Sequence, residues 1–298
     1  MSNIEKALEK ANLTNSMFDL SHEAKPEDQD VIVGAMERQV VGAVEAQKQA
    51  PKLTEKQRLV HIRWDLLKKH GYITKEDSHS QKAEEYRIIK RPLIDNAIGK
   101  NSKDIEKSNL ILITSSLPGE GKTYSAINLA LSISMEMDKQ VLLIDADVAR
   151  PSIAKSLGIQ EDMGLIDYLE NEDIQFSDIV KDTDVDNLRI ICAGKRHQHS
   201  TELLASNRMI KLANELSERY ADRIVIFDTP PLLVASQGHV LLSLVGQIVL
   251  VIEAEKTLRS VVMESVQILS DCDIVLALLN KAHSSIERNY YGYGHYAN

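Results

Sequence analysis

The chain has 298 residues, 27% charged and 43% apolar, and a formal net charge of −9. That size suits one substantial core plus an accessory segment, while the acidic balance argues against nucleic acid or direct membrane adhesion as the main business. Cys192 and Cys272 stand outside any C-x-x-C spacing, so neither a disulfide framework nor an iron–sulfur site is expected, and a reducing compartment is.

Charge begins at Glu5 with no apolar run behind it, which reads as no signal peptide and a cytoplasmic start. Ser2 and Glu5 form a capping-box pattern, after which Ile4, Ala7, Leu8 and Ala11 share one helical face. The opposite face mixes Glu5, Lys6, Glu9 and Lys10, so this short helix suits a protein groove, or its own domain, better than lipid. Residues 12–30 read as polar linker and 31–49 as helix; Pro51 separates them from a helix over 55–69 that stops before Gly71. A flexible segment, 77–80, leads to a helix over 81–91 carrying Glu84, Arg87 and Lys90, charges spaced three apart on one face. Taken alone, such a stripe is a solvated surface.

Next comes the apolar run Leu110 to Ile113, followed by Ser116-Leu117-Pro118-Gly119-Glu120-Gly121-Lys122-Thr123 and a helical pattern beginning at Tyr124. Strand, Gly-rich turn and helix in that order make a phosphate-binding loop, in which backbone N–H groups and the helix N-terminus face the phosphates. Lys122 is placed to reach the β and γ phosphates, and the Thr123 hydroxyl to ligate Mg²⁺. The first glycine of the usual pattern is Ser116, but the glycine beside the lysine is kept as Gly121. Two further strand patterns end in carboxylates: Gln140 to Ile144 runs into Asp145 and Asp147, and Arg223 to Phe227 runs into Asp228. In parallel α/β sheets such groups collect at the carboxyl edge. Asp228 suits a metal held through water; Asp145 suits either metal ligation or proton acceptance; Asp147 is the third carboxylate of the set. Capping of a helix near Pro151 is the plain structural alternative for Asp145 and Asp147. Residues 229–252 lack Asp, Glu, Lys and Arg over membrane-spanning length, but polar residues and Pro230-Pro231 interrupt them, so they read as loop, buried helix and strand. The last nine residues hold four of the nine tyrosines, Tyr290, Tyr291, Tyr293 and Tyr296, punctuated by glycine. A tail without periodicity is expected to be exposed, and exposed phenols are phosphoryl acceptors.

Motif by motif the chain resembles the bacterial tyrosine kinases: Pro118 to Thr123 resembles the phosphate loop, Ile144 to Asp147 the second Walker motif, and Phe227 to Pro231 the Walker B motif. Gly164-Leu165, Glu202-Leu203-Leu204 and Leu279-Asn280-Lys281 match further marks, and residues 4–10 and 83–93 resemble the XrtA-associated tyrosine autokinases. The resemblance runs from about Leu53 to the end, plus the first dozen residues. It implies an α/β P-loop NTPase fold, a doubly wound, mostly parallel sheet with helices on both faces, plus a helical N-terminal extension. The corresponding division is 1–75 extension, 76–285 kinase domain, 286–298 tyrosine-rich tail. It implies ATP and Mg²⁺ as cofactors, with Pro118, Gly119, Glu120, Gly121, Lys122, Thr123, Tyr124 and Asn280 around the nucleotide, Asn280 at adenine. Thr123, Asp145 and Asp228 would hold the metal, and Lys122, Asp145 and Asp147 would carry the chemistry.

The resemblance further implies a homo-oligomeric ring joined through Glu84, Arg87 and Lys90, with Lys90 in place of an arginine. Autophosphorylation of the tail would occur in trans, because the chain between Asn280 and Tyr290 spans at most about 35 Å. It implies exopolysaccharide synthesis and export as the setting. The expected partner is the cytoplasmic segment of a separate membrane co-polymerase or chain-length protein, which would recruit this cytoplasmic chain to the inner face of the membrane. The family pattern is broken at Ala149, where an arginine is usual and Arg150 stands next, at Gly194 to Ser200, and at Gln237. A partitioning-type P-loop ATPase, switching with nucleotide and phosphorylating no protein, is the competing reading; Leu117 in place of its signature lysine and the tyrosine tail count against it. Retention of Lys122, Thr123, Asp145 and Asp228 counts against a nucleotide-binding pseudoenzyme.

Overall fold

The computed structural model describes residues 59–77, 79–99, 104–220 and 222–282. The capped segment at the start, the linker and helix expected over 12–49, and the four tail tyrosines lie outside them. Everything described belongs to one unit, Leu53–Asn298.

Its strands are β1 (Leu110–Ser115), β2 (Gln140–Asp145), β3 (Lys181–Asp182), β4 (Leu188–Ile191), β5 (Arg223–Asp228), β6 (Gln247–Glu253) and β7 (Val275–Asn280). They form one sheet in the order β3-β4-β2-β5-β1-β6-β7, parallel except where β3 meets β4. The helices are α1 (Trp64–Lys69), α2 (Gln81–Ile98), α3 (Lys122–Ser134), α4 (Ile153–Leu157), α5 (Leu165–Glu170), α6 (Phe176–Ile179), α7 (Ser200–Leu204), α8 (Asn207–Glu218), α9 (Ser236–Leu242) and α10 (Arg259–Ile268). Strands buried on both faces are apolar at every position, and their alternation divides them between two layers. Ile111, Ile113, Val141 and Leu143 pack with Leu67, Leu93, Leu129 and Ile153 of α1 to α4. Leu110, Leu112, Leu142 and Ile144 pack with Leu165, Leu204, Leu212 and Leu241 on the opposite face. This is the doubly wound P-loop architecture that the motifs imply. The stretch after Asp228 becomes a loop, α9 and β6, and no described helix is long and apolar enough to cross a membrane.

The N-terminal part departs from expectation. Of the helix expected over 55–69, only Trp64–Lys69 is helical within the described residues. Just before it Val60 pairs with Thr183 as an extra parallel bridge, and the Ile62 N–H donates to Asp184 Oδ1 at 3.0 Å. Those backbone groups are used by tertiary partners and are not available to a helix. Gly71, left-handed at φ 74°, turns the chain out of α1. Ile62, Leu67, Tyr72 and Ile73 are buried in the same core as the sheet, so 59–74, placed by the expected division in the extension, packs with the kinase fold. Of the segment read as flexible at 77–80, Asp77 accepts from Thr74 Oγ1 and the Ser80 hydroxyl caps α2 by accepting the Ala83 N–H. That helix runs on to Ile98, past the expected end at Arg91. Pro92 deprives the Ile88 carbonyl of its helical donor at a place where Ile88 is 72% exposed, while Leu93 and Ala97 anchor the last turns in the core.

Candidate active site

The carboxyl edge of the sheet brings together most of the residues expected to act on phosphate. The loop after β1 turns through Gly119 and Gly121, both left-handed (φ 89° and 99°), into the first turn of α3, which carries Lys122, Thr123 and Tyr124. A Cβ on Gly121 would stand 2.0 Å from Asn280 Nδ2, so only glycine fits there. Asn280, at the end of β7, donates Nδ2 to the Glu120 carbonyl at 2.9 Å, and Lys281 Nζ donates to the Gly119 carbonyl at 2.7 Å. The Glu120 carboxylate accepts the Leu117 N–H at 2.7 Å and the Thr257 hydroxyl, closing the loop on itself and tying it to the turn after β6. Ser116 is fully buried, and its hydroxyl accepts from Ser265 of α10 at 2.8 Å. That partner accounts for a serine where glycine is usual: the hydroxyl is satisfied inside the fold.

Asp145 and Asp228 are register partners on adjacent strands and are fully or almost fully buried. Thr123 Oγ1 donates to Asp228 Oδ2 at 2.6 Å, and Ser152 Oγ donates to Thr123 at 2.9 Å. Lys122 Nζ lies 2.5 Å from Asp147 Oδ2 and 3.9 Å from Asp228 Oδ1. Asp145 does cap a helix: its Oδ2 accepts the N–H groups of Ser152 and Ile153, both at 3.0 Å, at the start of α4, and its Oδ1 accepts that of Asp147 at 3.2 Å. Asp147 Oδ1 accepts the Arg150 N–H at 3.1 Å. Burial, and next the negative charge of Asp228, push the Asp145 carboxyl above the usual carboxylate range in spite of these donors. Burial likewise raises Asp228, against the pull of Lys122 and Thr123. For Lys122 burial opposes the charge, but Asp228 and Asp147 outweigh it and hold the ammonium protonated.

Asp228 Oδ1 is buried with no hydrogen-bond partner among the described residues. Among those residues no three His, Cys, Asp or Glu side chains are grouped to hold a metal ion. An orphaned carboxylate oxygen beside a threonine hydroxyl nevertheless fits Mg²⁺, which takes one or two carboxylates and completes its shell with phosphate oxygens and water.

Two cavities flank the phosphate loop. One, of about 760 Å³, is walled by Gly121, Tyr124, Asn280 and Lys281 together with His70, Lys82 and Tyr86 of the N-terminal segment. Tyr124 Oη donates to the Gly71 carbonyl at 2.6 Å, and its ring lies 4.8 Å from that of Tyr72. The other, of about 370 Å³, holds Lys122 and Asp147 between Pro118, Ala149, Arg150 and the 230–235 segment. Sequence reasoning missed Ser152, Thr257 and the wall formed by His70, Lys82 and Tyr86, and it marked Lys281 without giving it a contact. Ser152 carried the signal of a small hydroxyl at a helix start; the others are joined to the loop only by folding.

The residues expected at an oligomer contact are divided. Glu84 and Arg87 bond to each other on the partly exposed face of α2. Lys90 does not share that face: it is 5% exposed, donates to the Ser132 carbonyl at 2.6 Å and pairs with Glu136 at 2.6 Å. Its aliphatic stem belongs to the α2/α3 packing, which is why the side chain turns inward.

Residues 108–279 match the family described as AAA domain, AAA_31. The chain is 30% identical over 224 residues to the tyrosine-protein kinase YwqD of Bacillus subtilis, covering 74% of this chain and 90% of that protein. To the tyrosine-protein kinase etk of Escherichia coli it is 31% identical over 145 residues, covering 49% of this chain and 19% of that longer protein. Among solved structures, the VpsO kinase domain superposes with a TM-score of 0.56 at 32% identity, covering 70% of this chain and all of that domain. The kinase domain of the Escherichia coli tyrosine kinase ETK superposes at 0.59, with 24% identity and 81% and 99% coverage, a likeness of fold. With its phosphate loop, its carboxylate pair on adjacent strands and a tyrosine-kinase relative matched over 90% of its length, the chain belongs to the bacterial tyrosine kinases.

Proposed function

We propose that this chain is an ATP-dependent tyrosine autokinase that phosphorylates Tyr290, Tyr291, Tyr293 and Tyr296 in trans within a homo-oligomer, and so regulates exopolysaccharide synthesis and export. The observation that carries the chemistry is Lys122 held between Asp147 and Asp228 at the mouth of a glycine loop. The family membership supports tyrosine as acceptor, and the glycine-punctuated tail supplies candidate phenols.

ATP would lay its phosphates along residues 118–123 and its base towards Asn280 and Tyr124. Lys122 then exchanges Asp147 for the phosphates. Thr123 and Asp228 are the residues that would hold Mg²⁺, which supplies charge neutralisation at the phosphates. Asp145, named with them from sequence, is already committed to backbone donors and serves to fix the turn that presents Asp147. Phenol oxygen attacks the γ phosphorus; the bond to the ADP oxygen breaks, and the phenol proton passes to a carboxylate. Asp147 lines the cleft that opens on this centre and is the carboxylate an entering phenol meets.

A second polypeptide carrying a membrane segment is the proposed activator, and recruitment to the inner membrane face follows from it. Each phosphate adds about −1.5 to −2 of charge to a tail beside an acidic body, which loosens the assembly.

Phosphopeptide mapping after incubation with Mg²⁺ and ATP tests the reading, with Lys122→Met and a chain truncated after Arg288 as controls. Phosphotyrosine confined to Tyr290–Tyr296 is expected, falling by about 100-fold or more in Lys122→Met on the scale of losing one charge-stabilising donor. ATP hydrolysis without phosphotyrosine, even with an activator segment added, would identify a nucleotide switch instead. Transfer in trans requires a rate per enzyme that falls on dilution through the dissociation range of the oligomer; a constant rate would refute it.

A further inference from the structure

The two cavities beside the phosphate loop are lined by different parts of it, and Lys122 and Asp147 open only into the smaller. The larger holds Gly121, Tyr124 and Asn280, the flank expected to take the nucleoside. The smaller contains Pro118, Gly119 and Lys122 on one side and the Pro230-Pro231 turn with Val234 on the other. Phosphoryl transfer places the attacking and leaving oxygens roughly in line across phosphorus. With the nucleoside towards Asn280, the smaller cleft, which holds Lys122 and Asp147, is the opening through which an attacking oxygen reaches the γ phosphorus.

That cleft is shaped and wired for a ring. Its volume, about 370 Å³, is at the low end of the roughly 300–1,000 Å³ usual for small-ligand sites, enough for one aromatic side chain. Val234, 60% exposed, joins Pro230, Pro231 and Ala149 as an apolar wall beside the reacting groups. The wall is fixed in advance: Leu232 and Leu233 donate their N–H groups to the Ser115 and Ser116 carbonyls at 2.8 and 3.3 Å, and Thr114 Oγ1 donates to the Pro230 carbonyl at 2.9 Å. Ala149, with only a methyl group, leaves room beside that wall. The neighbouring Arg150 is exposed, and its guanidinium makes no ion pair or hydrogen bond with the described residues, while its N–H anchors Asp147. A free guanidinium at the rim of an active cleft is a receptor for carboxylate or phosphate.

We propose that this cleft, between the phosphate loop and the 230–235 segment, seats the ring of the acceptor tyrosine against Val234 and Ala149. In the same proposal, Arg150 selects acceptors that carry an anionic group next to the tyrosine. A tyrosine already phosphorylated supplies such a group, so within a cluster one transfer favours the next. The inference rests on the kinase reading and specifies how that site chooses its acceptor.

Full-length protein with ATP and tyrosyl peptides in trans tests it, using peptides that differ only in Ala, Glu or phosphotyrosine beside the acceptor. The wild type is expected to favour the anionic peptides by about tenfold in kcat/KM, the scale of one charged hydrogen bond. Arg150→Ala abolishes that preference and Arg150→Lys keeps part of it. Val234→Asp raises the peptide KM by about tenfold or more, as burying a charge against a ring predicts; nucleotide affinity, read by fluorescent ATP binding, reports whether the variant is folded, and Val234→Ser is the milder substitute. Peptide KM unchanged in both Val234 variants, or a preference that survives Arg150→Ala, overturns the seat or the rim while the kinase reading stands. No phosphotyrosine from the wild type, on peptide or on itself, overturns both.

Discussion

Asp228 is held fully buried beside Lys122 and Asp145 with one oxygen unsatisfied, an arrangement that makes sense for a ligand-binding carboxylate and costs the nucleotide-free fold. Its folded pKa is raised above the ordinary 3.8, chiefly by burial. The native state therefore retains a proton that the unfolded chain releases. This contribution to stability is full below the unfolded value and is lost as pH rises through the folded one. Asp228→Asn is expected to raise the melting temperature of the nucleotide-free protein at pH 7 by a few degrees, on the order of 1 kcal/mol, and to flatten its decline above pH 4. Thermal scans across pH check this; parallel curves for wild type and variant would refute it. Lys122, Thr123, Asp145 and Asp228 were legible as a set because phosphate and metal chemistry restricts which residue types can stand at those spacings. The capping duty of Asp145 was legible only as an alternative, since the same carboxylate suits either role until the fold aims it.

At the scale of elements, the phosphate loop is held by parts of the chain far away in sequence. Ser265 of α10 meets Ser116 across 149 residues, and Thr257 meets Glu120 across 137. Removing either buried serine hydroxyl orphans the other, so Ser116→Ala and Ser265→Ala should each destabilise by about 1–3 kcal/mol, and the double variant by clearly less than their sum. Urea unfolding of the four proteins measures the coupling; strict additivity would show that the hydroxyls do not act as a pair. Strands and their carboxyl ends were readable from unbroken apolar runs of fixed length. Helix limits were less so. α2 continues past Pro92 because Leu93 and Ala97 beyond it are anchored in the core, and Val60 pairs with the 182–184 region because an open strand edge lies there. Neither environment is visible in the local pattern.

For the molecule as a whole, the core reaches further towards the N-terminus than the expected boundary at residue 75. A chain starting at Leu59 keeps Ile62, Leu67, Tyr72 and Ile73, and should melt as one cooperative unit. One starting at Gln81 loses these side chains, each fully buried aliphatic contributing about 1.5–3 kcal/mol, and bares the sheet face they cover. That shorter chain is expected to be insoluble or to melt at least 10 °C lower; equal melting temperatures would disprove the integration of this segment. His70 and Gly71, lost with them, line the larger cavity, so nucleotide affinity should weaken along with the fold. By itself, the sequence determined the glycine loop and the carboxylates at the strand ends, because periodicity and phosphate chemistry act over short stretches of chain, and its family resemblance implied the doubly wound class. Only the tertiary structure decided that Lys90 turns inward, that Ser116 has a partner, that Asp147 rather than Asp145 faces the open cleft, and that residues 59–74 belong to the core. Those outcomes depend on which surfaces meet across the sheet, and contacts between residues a hundred positions apart leave no periodic mark in either segment.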